Sequence, residues 1–201
     1  MEEDIISRCI AKACMHRGAE REQAETLIAP YVPTPFSVAR RMLSLIDLKP
    51  GELLFDLGCG DGRIVLIAAQ EFGARAIGVE LQERLWVLAT SRIERLGLGD
   101  RVKVLRKDLL EVDLSSADAV TLYLTPIGNQ RVQPKLEKEL RPEARVVSHD
   151  YELLGWKPAI VEKFPEDRSA TATVHKIFVY RKAESLRRRF SILRRMFCRS
   201  D

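Results

Sequence analysis

Leu53-Leu54-Phe55-Asp56-Leu57-Gly58-Cys59-Gly60-Asp61-Gly62-Arg63 joins a short apolar run to three closely spaced glycines, and a helical pattern follows. Such a stretch is a buried strand turning tightly into a helix, with glycines that let the backbone bend and a ligand approach closely. Glycine spacing alone does not name the ligand, so the dinucleotide reading is weighed first. The third glycine comes one residue early for G-x-G-x-x-G, and the bend is acidic, with Asp56 entering it and Asp61 at the helix start. A pyrophosphate needs that helix end. A carboxylate beside it is repulsive by about 1–4 kcal/mol per charge pair at 4 Å for effective dielectric constants of 80 to 20.

The same carboxylates suit a guest that carries an ammonium and a sulfonium and no phosphate, which is the description of S-adenosylmethionine. Glu80 ends the next strand-like run 24 positions after Asp56. That is near the offset at which an acidic side chain meets the hydroxyls of an adenosine ribose. Asp108 follows the third run and is placed to accept from the adenine amino group, with Leu81 and Leu109 supplying apolar faces. Acidic residues at strand ends also serve as helix caps, and this plainer reading stands beside the ligand reading, most of all for Asp108.

Outward from this bend, apolar runs bounded by Gly, Pro and Asp alternate with helical patterns, which predicts an α/β domain with a parallel sheet. Strands are expected at Leu53–Leu57, Ala74–Glu80, Val102–Arg106, Ala119–Leu124 and Arg145–His149. Amphipathic helices are expected at Pro35–Ile46, Gly62–Phe72, Gln82–Leu96 and Asn129–Leu140. Ala159–Phe164 and Thr171–Tyr180 read as a closing antiparallel hairpin, and Ile5–Ile28 as one or two further helices. Three segments result: an N-terminal helical extension over 1–30, the main domain over 31–181, and a C-terminal tail over 182–201.

At 201 residues, 46% apolar and 31% charged, the chain has the make-up of a globular domain rather than a disordered or fibrous one. It shows neither a long apolar run nor the basic start of a signal, so a soluble, cytoplasmic protein is expected. Cys9, Cys14, Cys59 and Cys198 form no C-x-x-C pair, and Cys9 falls in phase with Ile5, Ile6, Ile10 and Ala13; no metal site is assigned. The formal charge of +4 is uneven, since Arg181 to Asp201 holds eight Lys/Arg against two Asp/Glu. From Leu186, the residues Leu186, Phe190, Leu193 and Phe197 recur at helical spacing among arginines. This reads as a basic amphipathic helix for an acidic partner, whether nucleic acid, an anionic membrane or an acidic protein, or as a terminal helix packed on the domain.

Asp56 to Arg63 followed by Gly78-Val79-Glu80 resembles motifs I and II of class I S-adenosylmethionine-dependent methyltransferases. Tyr31-Val32-Pro33-Thr34-Pro35, Thr121-Leu122-Tyr123-Leu124-Thr125-Pro126, Gln133-Pro134-Lys135-Leu136 and Val146-Val147-Ser148-His149-Asp150 narrow the resemblance. Together they resemble the archaeal broad-specificity protein lysine methyltransferases and their mitochondrial eukaryotic relatives, a group loosely akin to a histone methyltransferase. The resemblance covers Tyr31 to Tyr180. It implies a Rossmann-like sheet of seven strands in the order 3-2-1-4-5-7-6, the last antiparallel, with helices on both faces. It also implies S-adenosylmethionine bound by Val32, Thr34, Asp56, Gly58, Gly60, Asp61, Glu80, Leu81, Asp108, Leu109 and Leu124, and protein substrates with accessible lysines.

Methyltransferases that modify planar exocyclic amines carry Asn or Asp before Pro-Pro at the end of strand four; this chain has Leu122-Tyr123-Leu124-Thr125-Pro126 there. A lysine amine, with a reference pKa of about 10.4, is neutral in only about one molecule in 2,500 at pH 7. An apolar aromatic channel favours the neutral form by desolvation, and a nearby sulfonium adds repulsion of the same sign. Tyr31 and Tyr123, carried over from the family motifs, are the candidate catalytic residues lining that channel, although Tyr123 also alternates with leucines as a core residue would. His149 and Asp150 read first as a strand-end turn, and His16 and His175 as surface or packing residues. Protein lysine methylation is therefore the leading expectation, with nucleic-acid methylation and a catalytically silent cofactor-binding partner as alternatives.

Overall fold

The computed structural model describes residues 31–169 and 171–185. The expected helices within Ile5–Ile28 and the basic helix from Leu186 lie outside the described residues. Helix α1 spans Phe36–Leu45, β1 Leu53–Leu57, α2 Arg63–Glu71, β2 Arg75–Glu80, α3 Glu83–Arg95 and β3 Val102–Arg106. A 3₁₀ turn at Leu109–Glu111 precedes β4 Ala119–Leu122, α4 Pro126–Glu139, β5 Arg145–His149, β6 Ile160–Pro165 and β7 Val174–Arg181.

The strands form one sheet in the order β3-β2-β1-β4-β5-β7-β6. The first five are mutually parallel, while β7 runs antiparallel to both β5 and β6. Strand order therefore reverses between β1 and β4, and in open parallel sheets ligands bind in the crevice that such a reversal opens beyond the strand ends.

The central strands are buried on both faces, so their sequences run apolar without alternation. Leu54, Ala76, Val102, Val147 and Val179 share one cluster with α1, α2 and α3, through Val38, Met42, Val65, Ala68, Ala89 and Ile93. Their neighbours along the strands point the other way, as the two-residue strand period requires. Each fully buried Leu or Val contributes about 1.5–3 kcal/mol by leaving water. Close approach of α2 and α3 depends on Gly62: it has φ +80°, and a Cβ there would lie 3.0 Å from the Ala89 Cβ.

Several expected boundaries move, β7 for one beginning at Val174 rather than Thr171, and two shifts have physical reasons in the contacts. Strand β4 stops at Leu122 rather than Leu124, because Tyr123 and Leu124 leave the ladder to line the sheet's carboxyl edge. Helix α4 begins at Pro126 rather than Asn129: Thr125 caps it, its Oγ1 accepting from Gly128 N at 3.1 Å, and Pro126 takes the first helical position. That cap lies ahead of the apolar periodicity on which the sequence expectation rests. No helix among the described residues is long and apolar enough to cross a membrane.

Candidate active site

The glycine bend leaves β1 with Gly58, Gly60 and Gly62 all at positive φ. It is tied down from β2, since the N–H groups of Gly58 and Cys59 both donate to Val79 O. Glu80 closes it: Oε2 accepts from Gly60 N at 2.9 Å and Oε1 from Gln82 N at 2.8 Å. Each carboxylate oxygen has a second lone pair, so the group can still accept from hydroxyls. Gly60 is required by Tyr31, whose ring carbon Cε2 would stand 2.6 Å from an added Cβ. Leu124 bounds Gly58 in the same way, at 3.2 Å. Tyr31 and Leu124 thus flank the bend on either side of Cys59, a buried free thiol whose pKa is pushed well up by burial and the surrounding carboxylates. A thiol so held is no nucleophile.

The two aspartates of the bend differ. Asp56 is buried, with Oδ1 accepting from the Thr121 hydroxyl at 2.6 Å and Oδ2 without a hydrogen-bond partner among the described residues. Burial, reinforced by the charges of Glu80 and Asp61 and opposed by Thr121, raises its carboxyl to about 7. Such an orphaned acceptor is a place for a cationic donor. Asp61 instead faces two guanidinium groups, Arg63 at 2.8 Å and Arg92 at 2.6 Å. Burial would raise its carboxyl, but these partners outweigh burial and hold it at about 2. The negative character available to a guest therefore comes from Asp56 and Glu80, with Asp61 serving to pin α2 and α3 to the bend.

Tyr31 is partly exposed, its phenol pKa raised by burial and by Asp61. Val32 is exposed, while Thr34 is buried. Arg63 joins them to the bend, donating from Nη1 to Thr34 O at 2.8 Å and lying over the Phe36 ring. Asp108 caps the 3₁₀ turn, accepting from Leu110 N at 2.9 Å, so the plainer capping role is filled by one of its oxygens. Leu109 is buried behind it and Leu81 is half-buried.

At the ends of β4, β5 and β7 a second cluster forms. The Tyr123 ring packs on His149 with centroids 3.9 Å apart, and its hydroxyl reaches Asp150 Oδ2 at 3.4 Å. Burial first, then the Asp150 charge, raises the Tyr123 phenol to about 12. His149 is fully buried, with Nδ1 3.2 Å from Thr34 Oγ1 and Nε2 2.9 Å from His175 Nδ1. Burial, with His175 adding to it and Asp150 opposing, lowers His149 to about 4, a neutral imidazole at physiological pH. Asp150 sits at φ +60°, the strand-end turn expected from sequence, and its Oδ1 accepts from Lys176 N at 2.9 Å.

Of the surface and packing readings of His175 the structure shows the second, since it is buried against His149 and Asp150. Thr121, Arg63 and Arg92 also escape sequence reasoning. Position alone could have flagged Thr121, a polar residue inside an apolar strand opposite Asp56.

The family model described as ANTKMT methyltransferase domain matches residues 56–160, about half of the chain. A protein-lysine N-methyltransferase of Saccharolobus islandicus is 44% identical over 147 residues, 73% of this chain and 91% of that protein. The adenine nucleotide translocase lysine N-methyltransferase of Mus musculus is 40% identical over 150 residues, 74% of this chain and 65% of that protein. A crystal structure described as an RNA methyltransferase from Salinibacter ruber in complex with S-adenosyl-L-homocysteine superposes with TM-score 0.67 at 39% identity, covering 74% of this chain and 92% of that one. On these matches the chain belongs to the ANTKMT methyltransferase domain family, with the class I methyltransferase fold.

Proposed function

We propose that the chain transfers methyl groups from S-adenosylmethionine to lysine ε-amines of proteins. The observation that carries this reading is the pairing of two unlike environments at one sheet edge: a bend whose Asp56 and Glu80 carboxyls make no ion pair among the described residues, and a partly desolvated aromatic surface where Tyr123 packs on His149. Bound in the bend, S-adenosylmethionine supplies an electrophilic methyl on a cationic sulfur. Asp56 Oδ2 receives its ammonium, Glu80 its ribose hydroxyls, and Asp108, Leu81 and Leu109 its adenine. Tyr31, Val32, Thr34 and Leu124 wall the bend, with Gly58 and Gly60 giving backbone access and Asp61 holding the bend to its helices.

Tyr123 lines the way in for the lysine. Its ring excludes water from the amine and so favours the neutral nucleophile, while its hydroxyl and the Asp150 carboxylate offer acceptors that orient the nitrogen. Holding nitrogen, methyl and sulfur in line is worth about 7–11 kcal/mol in well-oriented intramolecular reactions. No group in this arrangement is asked to act as a strong base. The absence of Asn or Asp before Pro-Pro at residues 123–126 argues against a planar nucleobase amine.

Methyl-labelled S-adenosylmethionine incubated with the full chain, a lysine-rich protein and total RNA decides between substrate classes. Label recovered as methylated lysine after hydrolysis is expected; label recovered only in RNA would overturn the reading. The excess of arginine beyond residue 186 further suggests a polyanionic docking partner for the tail, a role that deletion of 186–201 tests through loss of salt-sensitive binding without loss of cofactor affinity.

A further inference from the structure

Three donor atoms from two strand ends converge beside Tyr123: His149 Nε2 and Asp150 Oδ2 at the end of β5, and His175 Nδ1 at the start of β7. Their separations are 2.9 Å between the two nitrogens, 3.4 Å from His149 to Asp150 and 3.3 Å from His175 to Asp150. Zinc–nitrogen bonds of 2.0–2.1 Å at tetrahedral angles place neighbouring donors about 3.3–3.4 Å apart. The three atoms thus outline one face of such a tetrahedron with no rearrangement beyond a few tenths of an ångström.

The surroundings fit the same occupant. Thr34 Oγ1, 3.2 Å from His149 Nδ1, can take that nitrogen's proton in a hydrogen bond, which turns the Nε2 lone pair toward the cluster. His175 Nε2 is buried without a hydrogen-bond partner among the described residues, and Glu166 Oε2 stands 4.0 Å from it, where a small side-chain shift gives a proton on Nε2 its acceptor and frees Nδ1. Asp150 Oδ1 is held by Lys176 N, so the carboxylate presents Oδ2. Under this assignment both imidazole protons lie on the outer nitrogens and only the Tyr123 hydroxyl donates to the three converging acceptors, through Asp150 Oδ2, whereas a dication meets a lone pair of each.

We propose that His149, Asp150 and His175 form a site for a first-row divalent cation of the zinc class, with its fourth position open beside Tyr123. Two neutral imidazoles and one carboxylate are the donor set of borderline metals rather than of magnesium or calcium. If the lysine enters at Tyr123 as proposed above, the added positive charge disfavours the ammonium form there. That consequence rests on the lysine reading, and the metal site does not.

The test uses the full chain, stripped with chelator and titrated separately with Zn²⁺ and Co²⁺. One Zn²⁺ per chain is expected, competing with a chromophoric chelator. Co²⁺ should give the intense visible bands of four-coordinate nitrogen and oxygen ligation, without the near-ultraviolet sulfur band that the cysteines would produce. His175→Gln and Asp150→Asn should each weaken Zn²⁺ binding by about a hundredfold, at least the loss typical of disturbed metal ligation. Asp150→Asn keeps a residue that tolerates positive φ, so this arm survives should His175→Gln not fold. Only weak six-coordinate Co²⁺ absorption, a sulfur band, or Zn²⁺ affinity unchanged in Asp150→Asn would overturn the proposal. Since label transfer to lysine can succeed or fail independently of these readings, the two failures are distinguishable.

Discussion

The glycine-bend end of the sheet and the histidine end stand on the same carboxyl edge but are built by opposite routes. The bend draws Asp56, Gly58, Gly60 and Asp61 from six consecutive positions, and its conformation is fixed by backbone donors to Val79 and Glu80. The histidine cluster draws Tyr123, His149, Asp150 and His175 from three chain segments that meet only because β5 lies between β4 and β7. Local backbone geometry makes the first site, and long-range register makes the second. Thr34 touches both, its carbonyl oxygen on Arg63 and its hydroxyl on His149.

The two sites can be separated by substitution. Glu80→Ala removes the acceptor of two loop N–H groups together with the proposed ribose contact. A loss of about 2–3 kcal/mol, roughly 30- to 160-fold in cofactor affinity by calorimetry, is expected. Zinc binding at the histidine end should not move; a parallel loss there would break the distinction. Asp56 comes next. With its carboxyl near 7 in the cofactor-free protein, about half of the molecules are protonated at pH 7, and a bound ammonium favours the ionised form. Binding should release about half a proton at pH 7, seen as a dependence of calorimetric heat on buffer ionisation enthalpy. The Asp56 contribution to affinity should rise about tenfold from pH 6 to pH 8, and Asp56→Asn should abolish both effects. In the absence of cofactor the sign is the reverse. A raised folded pKa means that the stability this group contributes is complete below about 4 and is lost as pH rises through about 7.

Tyr123→Phe tests the other end. Removing a hydroxyl that holds Asp150 at 3.4 Å should lower kcat about fivefold, near 1 kcal/mol, with cofactor affinity unchanged. Equal losses in both quantities would place Tyr123 in the cofactor site instead. The smallest effect concerns Asp61. Its carboxyl is depressed to about 2 by its arginines, so its stabilising share is present above about 4 and fades as pH falls through about 2. Acid denaturation followed by circular dichroism should show part of its slope in that interval, and Arg92→Gln should shift the slope toward higher pH.

What could be read from the chain follows the same division. Strand positions, the bend and Glu80 are legible because burial on both faces and glycine spacing leave local marks, from Leu53–Leu57 through Gly58 and Gly60, whereas the strand order is implied only by the family resemblance. Asp61 was visible but its role was not: its charge is answered by Arg92, 31 positions away, and nothing in the local sequence announces that pair. His175 reads as ordinary because its partners lie 26 and 25 residues earlier and meet it only through the β5–β7 register. Helix α4 shows the converse, since Thr125-Pro126 is a local start signal that apolar periodicity alone passes over.

Competitive calorimetry on the full chain, with S-adenosylmethionine, NAD and ATP titrated in turn, tests most directly whether Asp56 and Glu80 choose a cationic, phosphate-free nucleoside. Binding of S-adenosylmethionine at least about thirtyfold tighter than either phosphate-bearing nucleotide is expected, as two carboxylate repulsions of about 1–4 kcal/mol each imply. NAD or ATP binding with comparable affinity, and not displaced by S-adenosylmethionine, would contradict it.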